Sequence, residues 1–264
     1  MEKIGIVGFG YVGQRLKRFF EYGNHYEVKI YDPTDSRSDT KEDINQSKLA
    51  VICVPTPMSE KDKSCDISIV EDVISWIETP LILIKSTIPP GTTDKLKEKT
   101  GKKICFSPEY IGEGKYFVSE WKYPNPTNPI SHTFQIIGGD KKDADEIVGV
   151  LCERLGPEKF YYIIDAVEAE IVKYMENAWG ATKVSFCQEF YDLCQVFGVS
   201  YNKVREGFLL DSRVERMHTA VFPDRRKWSG KCWPKDISAI IKKAEEMGYS
   251  MNLLKQVVKS NQKY

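Results

Sequence analysis

The first 165 residues alternate short apolar runs with stretches of helical spacing. Lys3–Val7, Val28–Tyr31, Lys48–Val54, Leu81–Lys85, Lys103–Phe106, Thr133–Gly138 and Phe160–Ile164 are apolar and bounded by turn residues, which predicts strands. Val12–Tyr22, Ile69–Ile77 and Asp143–Leu155 carry apolar residues every three to four positions, which predicts helices. Strands that alternate with helices imply crossover units and a mostly parallel α/β sheet. Trp121–Pro129, WKYPNPTNP, has three prolines and is expected to be a loop over the surface or over a ligand.

At Asp165 the pattern changes. Ile171, Met175, Trp179, Thr182, Phe186, Phe190, Leu193 and Phe197 recur at helical spacing up to Gly198, a plausible stop, which predicts one helix of about nine turns. Asp165 followed by Glu168 has the form of a capping box. Pro234–Met247, ending at Gly248, and Met251–Ser260 are expected to be two further helices. The expected organisation is an α/β domain over residues 1–165 and a smaller all-helical domain over residues 166–264.

Composition adds exclusions. The chain has 264 residues, 41% of them hydrophobic, and 38 basic residues balance 38 acidic ones. A chain of zero net charge has no global field to draw it to nucleic acid or an anionic membrane. No apolar run approaches the ~18 residues of a membrane span. The seven cysteines are odd in number and form no Cys-x-x-Cys pair, so no metal site is expected. With no signal peptide at the start, the expectation is a reduced, cytoplasmic protein.

The stretch KIGIVGFGYVGQRL places Gly8, Gly10 and Gly13 between a strand and a helix. Gly8 allows the tight turn and Gly10 the close approach of a pyrophosphate. Gly13 allows helix to pack on strand, and the helix N-terminus faces the phosphates. Asp32 ends the next strand about 20 residues on, where an acid holds the adenosine ribose hydroxyls. That acid would repel a 2′-phosphate, so NAD is the expected cofactor on a Rossmann-type sheet.

Near the end stands GKCWPKD, Gly230 to Asp236. Cys232 lies just before Pro234, a favoured early helical position. A thiol there gains thiolate character from the helix N-terminus; a small packed side chain is the other reading. Lys173 and Asn177, four apart, share one helix face and could direct an ammonium and an amide at an oxyanion, or form a solvated face. Asp236 could position water or complement the helix dipole.

Several segments form a series: ICVPTPM (Ile52–Met58), KSTIPPGTT (Lys85–Thr93), SPEYIGEG (Ser107–Gly114), VKYMENAWGATKVSFCQE (Val172–Glu189), DSR (Asp211–Arg213) and GKCWPKD. In this order and spacing the chain resembles the UDP-glucose/GDP-mannose dehydrogenase family, from Lys3 to about Asn261. The resemblance implies NAD-dependent, four-electron oxidation of the C6 alcohol of a nucleotide sugar to a carboxylate, through a thioester on Cys232. UDP-glucose is the first expectation. GDP-mannose, an N-acetylated UDP-sugar, or a non-catalytic NAD-binding module are the alternatives. The resemblance gives Lys173 and Asn177 the oxyanion, and gives Asp236, Glu109 and Thr87 water and protons. Around the cofactor it implies Tyr11, Val12, Val54, Pro55, Thr56, Thr87 and Lys235 beside the glycine loop and Asp32. Around the substrate it implies Glu109, Tyr110, Ile111, Glu113, Lys173, Asn177, Arg213 and Gly230; for the two glutamates the other reading is surface charge. It also implies a homodimer built on the central helices.

The chain departs from the family pattern twice. Before the cysteine, where the family has a glycine-rich run, stands PDRRKWSGKC; Arg225, Arg226 and Lys227 could meet a diphosphate or form a solvated loop. The sequence also ends at Tyr264, where the family continues into a further nucleotide-binding domain. The expectation is therefore a short form in which a partner subunit supplies contacts or fewer suffice.

Overall fold

The computed structural model describes residues 1–111 and 132–264. The WKYPNPTNP segment and Glu113 lie outside the described residues. The chain divides into two compact units: Met1–Pro57 with Cys65–Lys173, and Met58–Ser64 with Tyr174–Tyr264.

The first unit is built on seven strands among the described residues: β1 (Glu2–Val7), β2 (Tyr26–Tyr31), β3 (Leu49–Ile52), β4 (Ile82–Ile84), β5 (Ile104–Phe106), β6 (Phe134–Gly138) and β7 (Phe160–Ile164). Their order in the sheet is β2-β1-β3-β4-β5-β6-β7. All neighbours are parallel except β5 and β6, which meet antiparallel at Phe106 and Gly138. This is a Rossmann-type sheet.

The period of two along each central strand sorts its side chains between two cores. Leu49 and Val51 of β3 join Ile4 and Ile6 of β1 and Leu83 of β4 on one face. Helices α1 (Tyr11–Glu21) and α5 (Lys141–Leu155) close that face with Leu16, Phe19, Phe20, Ile147 and Leu151. Ala50 and Ile52 of β3 face the other way with Ile82 and Ile84. Helices α2 (Lys41–Asn45), α3 (Ser68–Trp76) and α4 (Thr92–Thr100) cover that side with Ile44, Val70, Val73, Ile74 and Leu96. Because both faces are covered, these strands read as continuous apolar runs.

The helix that follows β7, α6, runs Ala166–Val196, and the unit boundary falls inside it, between Lys173 and Tyr174. The Glu168 carboxylate accepts from the Asp165 backbone N–H at 3.0 Å, the return arm of the expected capping box.

In the second unit α6 is followed by α7 (Tyr201–Phe208), α8 (Trp233–Glu246) and α9 (Asn252–Asn261). Ala181, Trp228, Ile237 and Val257 form one small core there; Cys187, Cys194, Tyr201 and Val221 form another. The large apolar residues that define the helical period of α6 are not in either core. Met175, Trp179, Phe186, Phe190 and Leu193 are exposed, Met175 by 73%. The buried positions of α6 in this unit are Tyr174, Asn177, Ala178, Gly180, Ala181, Ser185, Cys187, Gln188 and Cys194.

Candidate active site

The glycine loop of the first unit is shaped by close backbone approaches. A Cβ on Gly8, whose φ is +91°, would lie 2.6 Å from the Cys53 carbonyl oxygen, and one on Gly13 would lie 2.2 Å from the Gly8 carbonyl oxygen. At Gly10 nothing lies within 4 Å of the Cβ position, so that face of the loop is open. Gly10 stands at the start of α1 with no side chain capping the helix, and no acid occupies the first turn. The first N–H groups of a helix have no partner within it, and beside an open, uncharged face they fit an anionic diphosphate. Tyr11 and Val12, half-buried, form the first turn.

Asp32 is held where the ribose of such a ligand would be read. Its Oδ2 accepts from the Phe9 N–H at 2.8 Å, and its Oδ1 accepts from the Thr34 N–H and hydroxyl at 2.9 and 2.7 Å. Burial would raise its carboxyl pKa, but these hydrogen bonds outweigh burial and hold it below the usual range. The residues present therefore fit NAD.

Val54, Pro55, Thr56 and Thr87 lie just past the carboxyl ends of β3 and β4, where open parallel sheets bind ligands. The Thr56 hydroxyl donates to the Thr87 carbonyl at 2.8 Å, and the Ser86 hydroxyl donates to the Val54 carbonyl at 2.8 Å. Past β5, Glu109 Oε1 accepts from the Tyr110 and Ile111 N–H groups at 2.8 and 2.7 Å. Its other oxygen is buried, outside hydrogen-bonding geometry, and lies 3.3 Å from the Lys85 ammonium. Lys85, Glu109 and Tyr110 line a cavity of about 30 Å³, room for one or two waters. Lys173, buried, sets its ammonium 5.5 Å from the centre of the Tyr110 ring.

In the second unit Asn177 and Asp236 are both buried, and the Asn177 amide donates to Asp236 Oδ2 at 2.6 Å. The Lys235 ammonium lies 2.5 Å from Asp236 Oδ1, off the hydrogen-bonding direction. Asp236 sits in the first turn of α8, and its N–H donates to the Cys232 carbonyl at 2.8 Å. Cys232 caps that helix and is the exposed member of the seven cysteines. Burial pushes the Cys105 thiol up to about 12 and raises Cys53 and Cys187 as well, which leaves those thiols inert.

Arg213 folds back on its own motif: its backbone N–H, Nε and Nη2 all donate to the Asp211 carboxylate, and its side chain is 87% exposed. Gly230 is exposed, with φ at +95°. Arg226 of the basic run is tied inward. It donates to Gln188 Oε1 at 2.5 Å and Asp192 Oδ1 at 2.6 Å, and its guanidinium lies 4.5 and 4.4 Å from the Tyr191 and Tyr264 ring centres. Arg225 and Lys227 are exposed.

Three residues outside the expected site join the picture. Lys85 partners Glu109. Glu170 is fully buried and caps α4, accepting from the Gly91 and Thr93 N–H groups at 2.5 and 2.8 Å and from the Thr93 hydroxyl at 2.7 Å. His218 packs on Trp233. For Glu170 a signal existed: Glu170, Lys173, Asn177 and Ala181 recur at three- and four-residue steps, a second helical face beside the apolar one.

Residues 32–149 match the NAD binding domain of the UDP-glucose/GDP-mannose dehydrogenase family, and residues 167–263 match its central domain. A UDP-glucose 6-dehydrogenase of Haloferax volcanii is 29% identical over 270 residues, spanning 95% of this chain and 56% of the relative. The chain thus spans little more than half the length of that relative. Among solved structures, a UDP-glucose dehydrogenase of Pyrobaculum islandicum superimposes with a TM-score of 0.82 at 25% identity, over 99% of this chain and 68% of that one. A UDP-D-ManNAc dehydrogenase of Pyrococcus horikoshii gives 0.79 at 25% identity, over 98% and 68%. With the family's NAD binding and central domains matched in order, on a sheet that fits NAD, this chain belongs to the UDP-glucose/GDP-mannose dehydrogenase family.

Proposed function

We propose that the protein oxidises the C6 alcohol of a nucleotide sugar to a carboxylate, with UDP-glucose as substrate and UDP-glucuronate as product. The observation that carries this reading is the start of α8: an exposed thiol at Cys232 one turn before Asp236, a buried carboxylate bonded to the buried Asn177 amide. A buried, paired carboxylate beside an exposed cysteine is costly to maintain for packing alone.

NAD, when bound, supplies the hydride acceptor, once for alcohol to aldehyde and once more for the second oxidation. Between these steps the Cys232 thiolate adds to the aldehyde carbon, and the carbonyl oxygen becomes the oxyanion of a thiohemiacetal. Asn177 and Lys173 supply the amide and ammonium for that oxyanion. Loss of the second hydride leaves a thioester. Water then attacks its carbonyl carbon, the C–S bond breaks, and the thiol returns with the carboxylate as product. Asp236 takes and returns protons at the cysteine; Glu109, beside a cavity with room for water, and Thr87 hold the hydrolytic water. The exposed apolar face of α6, from Met175 to Leu193, supports a homodimer built on that helix.

A second substrate reading has a specific support: the similarity to the ManNAc-directed structure equals in identity that to the glucose-directed one. One assay decides. The protein is mixed with NAD and a panel of nucleotide sugars, and NADH is counted per sugar consumed. Two NADH per UDP-glucose is the expected result. Two NADH on another sugar moves the substrate, and NAD binding without turnover overturns the enzyme reading. Carboxylate released by Cys232→Ser at the parent rate would sink the thioester.

A further inference from the structure

Gly180 of α6 faces two rings. A Cβ there would lie 2.7 and 2.9 Å from Trp233 Cζ2 and Cη2, and 3.4 Å from His218 Nδ1. The helix is thus pared to its backbone where the indole and imidazole seat. The His218 ring meets the Trp233 ring edge-on, with centres 5.0 Å apart and planes at 82°. Trp233 is the first residue of α8 and packs against the core of Ala181, Trp228, Ile237 and Val257.

His218 reaches this seat at a backbone cost. Its φ is +66°, the left-handed region that a side chain with a Cβ rarely occupies. Such strain persists where the surroundings over-determine it. Here they do: the next residue, Thr219, is fixed by the Tyr201 hydroxyl on its carbonyl at 2.8 Å and by Arg205 Nε on its hydroxyl at 3.1 Å, and it donates to the Arg216 carbonyl at 2.6 Å. His218 Nδ1 is buried with no hydrogen-bond partner among the described residues. Burial, with the Lys183 charge second, lowers its pKa to about 4, so the ring is neutral and makes its contact as an aromatic wedge.

We infer that His218 is a positioning residue: through the Trp233 indole it fixes the first turn of α8 and with it the presentation of the Cys232 thiol. The strain, the unpaired nitrogen and the missing Cβ of Gly180 are three separate concessions to one contact, and that contact is one residue from Cys232. The inference rests on the reading that Cys232 is the nucleophile.

The test reads the thiol directly. Cys232 is alkylated with iodoacetamide at neutral pH and followed by mass spectrometry of its peptide, alongside NADH release with UDP-glucose. His218→Asn keeps a left-handed backbone that asparagine tolerates but removes the ring. Its expected effect is alkylation slowed about two- to fivefold, the worth of a helix N-terminus to one charge, with kcat lowered and the KM for NAD unchanged. His218→Phe restores the wedge and is expected to recover most of the rate. Trp233→Leu repeats the loss and Trp233→Phe the recovery, a second pair that decides the matter if His218→Phe does not fold. Alkylation that is unchanged or faster in His218→Asn and Trp233→Leu, or not recovered by the aromatic variants, overturns the inference. A parent protein that turns over no nucleotide sugar, yet shows this alkylation pattern, overturns the functional reading and leaves the positioning role standing.

Discussion

The two units use their apolar residues in opposite ways. In the first, the positions that set the period are the core: Val51 and Leu83 close one face of the sheet, Ile52 and Ile84 the other, and all four are within 1% of full burial. In the second, the residues that set the period of α6 point outward, while Asn177, Ser185 and Gln188 point in. Burying polar groups is unfavourable unless each finds a partner. Here Asn177 finds Asp236, the Ser185 hydroxyl accepts from the Trp228 indole N–H at 3.0 Å, and Gln188 accepts from Arg226. An apolar period therefore does not by itself mark the core of its own chain; in the proposed dimer the period of α6 marks the face that meets the partner. The polar period beside it is the buried one, and it carries Lys173 and Asn177 of the proposed site.

The largest test of this contrast places the same charge in both settings. Ile84→Asp puts a carboxylate at a fully buried position with no partner, and the expected cost of several kcal/mol is enough to unfold a domain whose total stability is about 5–15 kcal/mol. Phe186→Asp, at a position 49% exposed, is expected to leave the circular dichroism unchanged and to shift the species seen by light scattering from dimer to monomer. Unfolding by both substitutions would erase the distinction.

The next effect belongs to Glu170, a charged residue inside the apolar unit. Burial pushes its carboxyl up to about 7, against hydrogen bonds from Thr93 and Gly91 that pull it down. Its folded pKa lies above the unfolded one, so the folded state holds the extra proton. Its contribution to stability is full below about pH 4.5 and is lost as pH rises to about 7, roughly 3 kcal/mol across that window. Urea unfolding of parent and Glu170→Gln at pH 5 and pH 8 checks the sign: the parent should lose more stability than the variant between the two. A parent that gains on the variant over that interval would show the carboxylate, and not the acid, to be the capping form.

These residues also mark where the sequence was readable. The parallel strands were, because strands covered on both faces are apolar throughout and end at turns. The glycine loop and Asp32 were, because their chemistry is local. Helix α4 was not: TTDKLKEKT has a single large apolar residue, Leu96, and its ends are set by Gly91 and Gly101, both with positive φ. What seats its first turn is Glu170, 77 residues from Thr93 along the chain. Lys85 with Glu109 and His218 with Trp233 escape a sequence reading for the same reason. Motif spacing picked out Lys173, Asn177, Cys232 and Asp236 as residues. That Asn177 and Asp236 are bonded to each other, 59 positions apart, is a product of helix packing that no spacing rule contains.

On the polar side of the comparison, Asn177→Ala removes the amide from a carboxylate that is 1% exposed. Loss of a hydrogen bond to a charged group costs about 1.5–3 kcal/mol. On the proposed function, carboxylate formation is expected to fall with it while NADH binding at the glycine loop and Asp32 stays as in the parent. Equal stability of parent and variant would mean that water replaces the amide without penalty.

The smallest effect separates structure from substrate binding in the basic run. Arg226 is held by Gln188 and Asp192 and lies over two tyrosine rings, and the Tyr264 hydroxyl donates to the same Asp192 at 2.7 Å. Lysine keeps the charge but cannot reproduce the planar fork or its stacking. Arg226→Lys is therefore expected to cost about 1 kcal/mol of stability and to leave the KM for the nucleotide sugar unchanged. Arg225 and Lys227 are exposed on either side, Arg225 with its Nε 3.9 Å from the Asp224 carboxylate. A diphosphate contact made by the run would appear as a raised KM in Arg225→Ala or Lys227→Ala with stability intact. A raised KM in Arg226→Lys at unchanged stability would reverse this assignment, because a guanidinium that only ties helices together has no reason to distinguish substrate-bound from free protein.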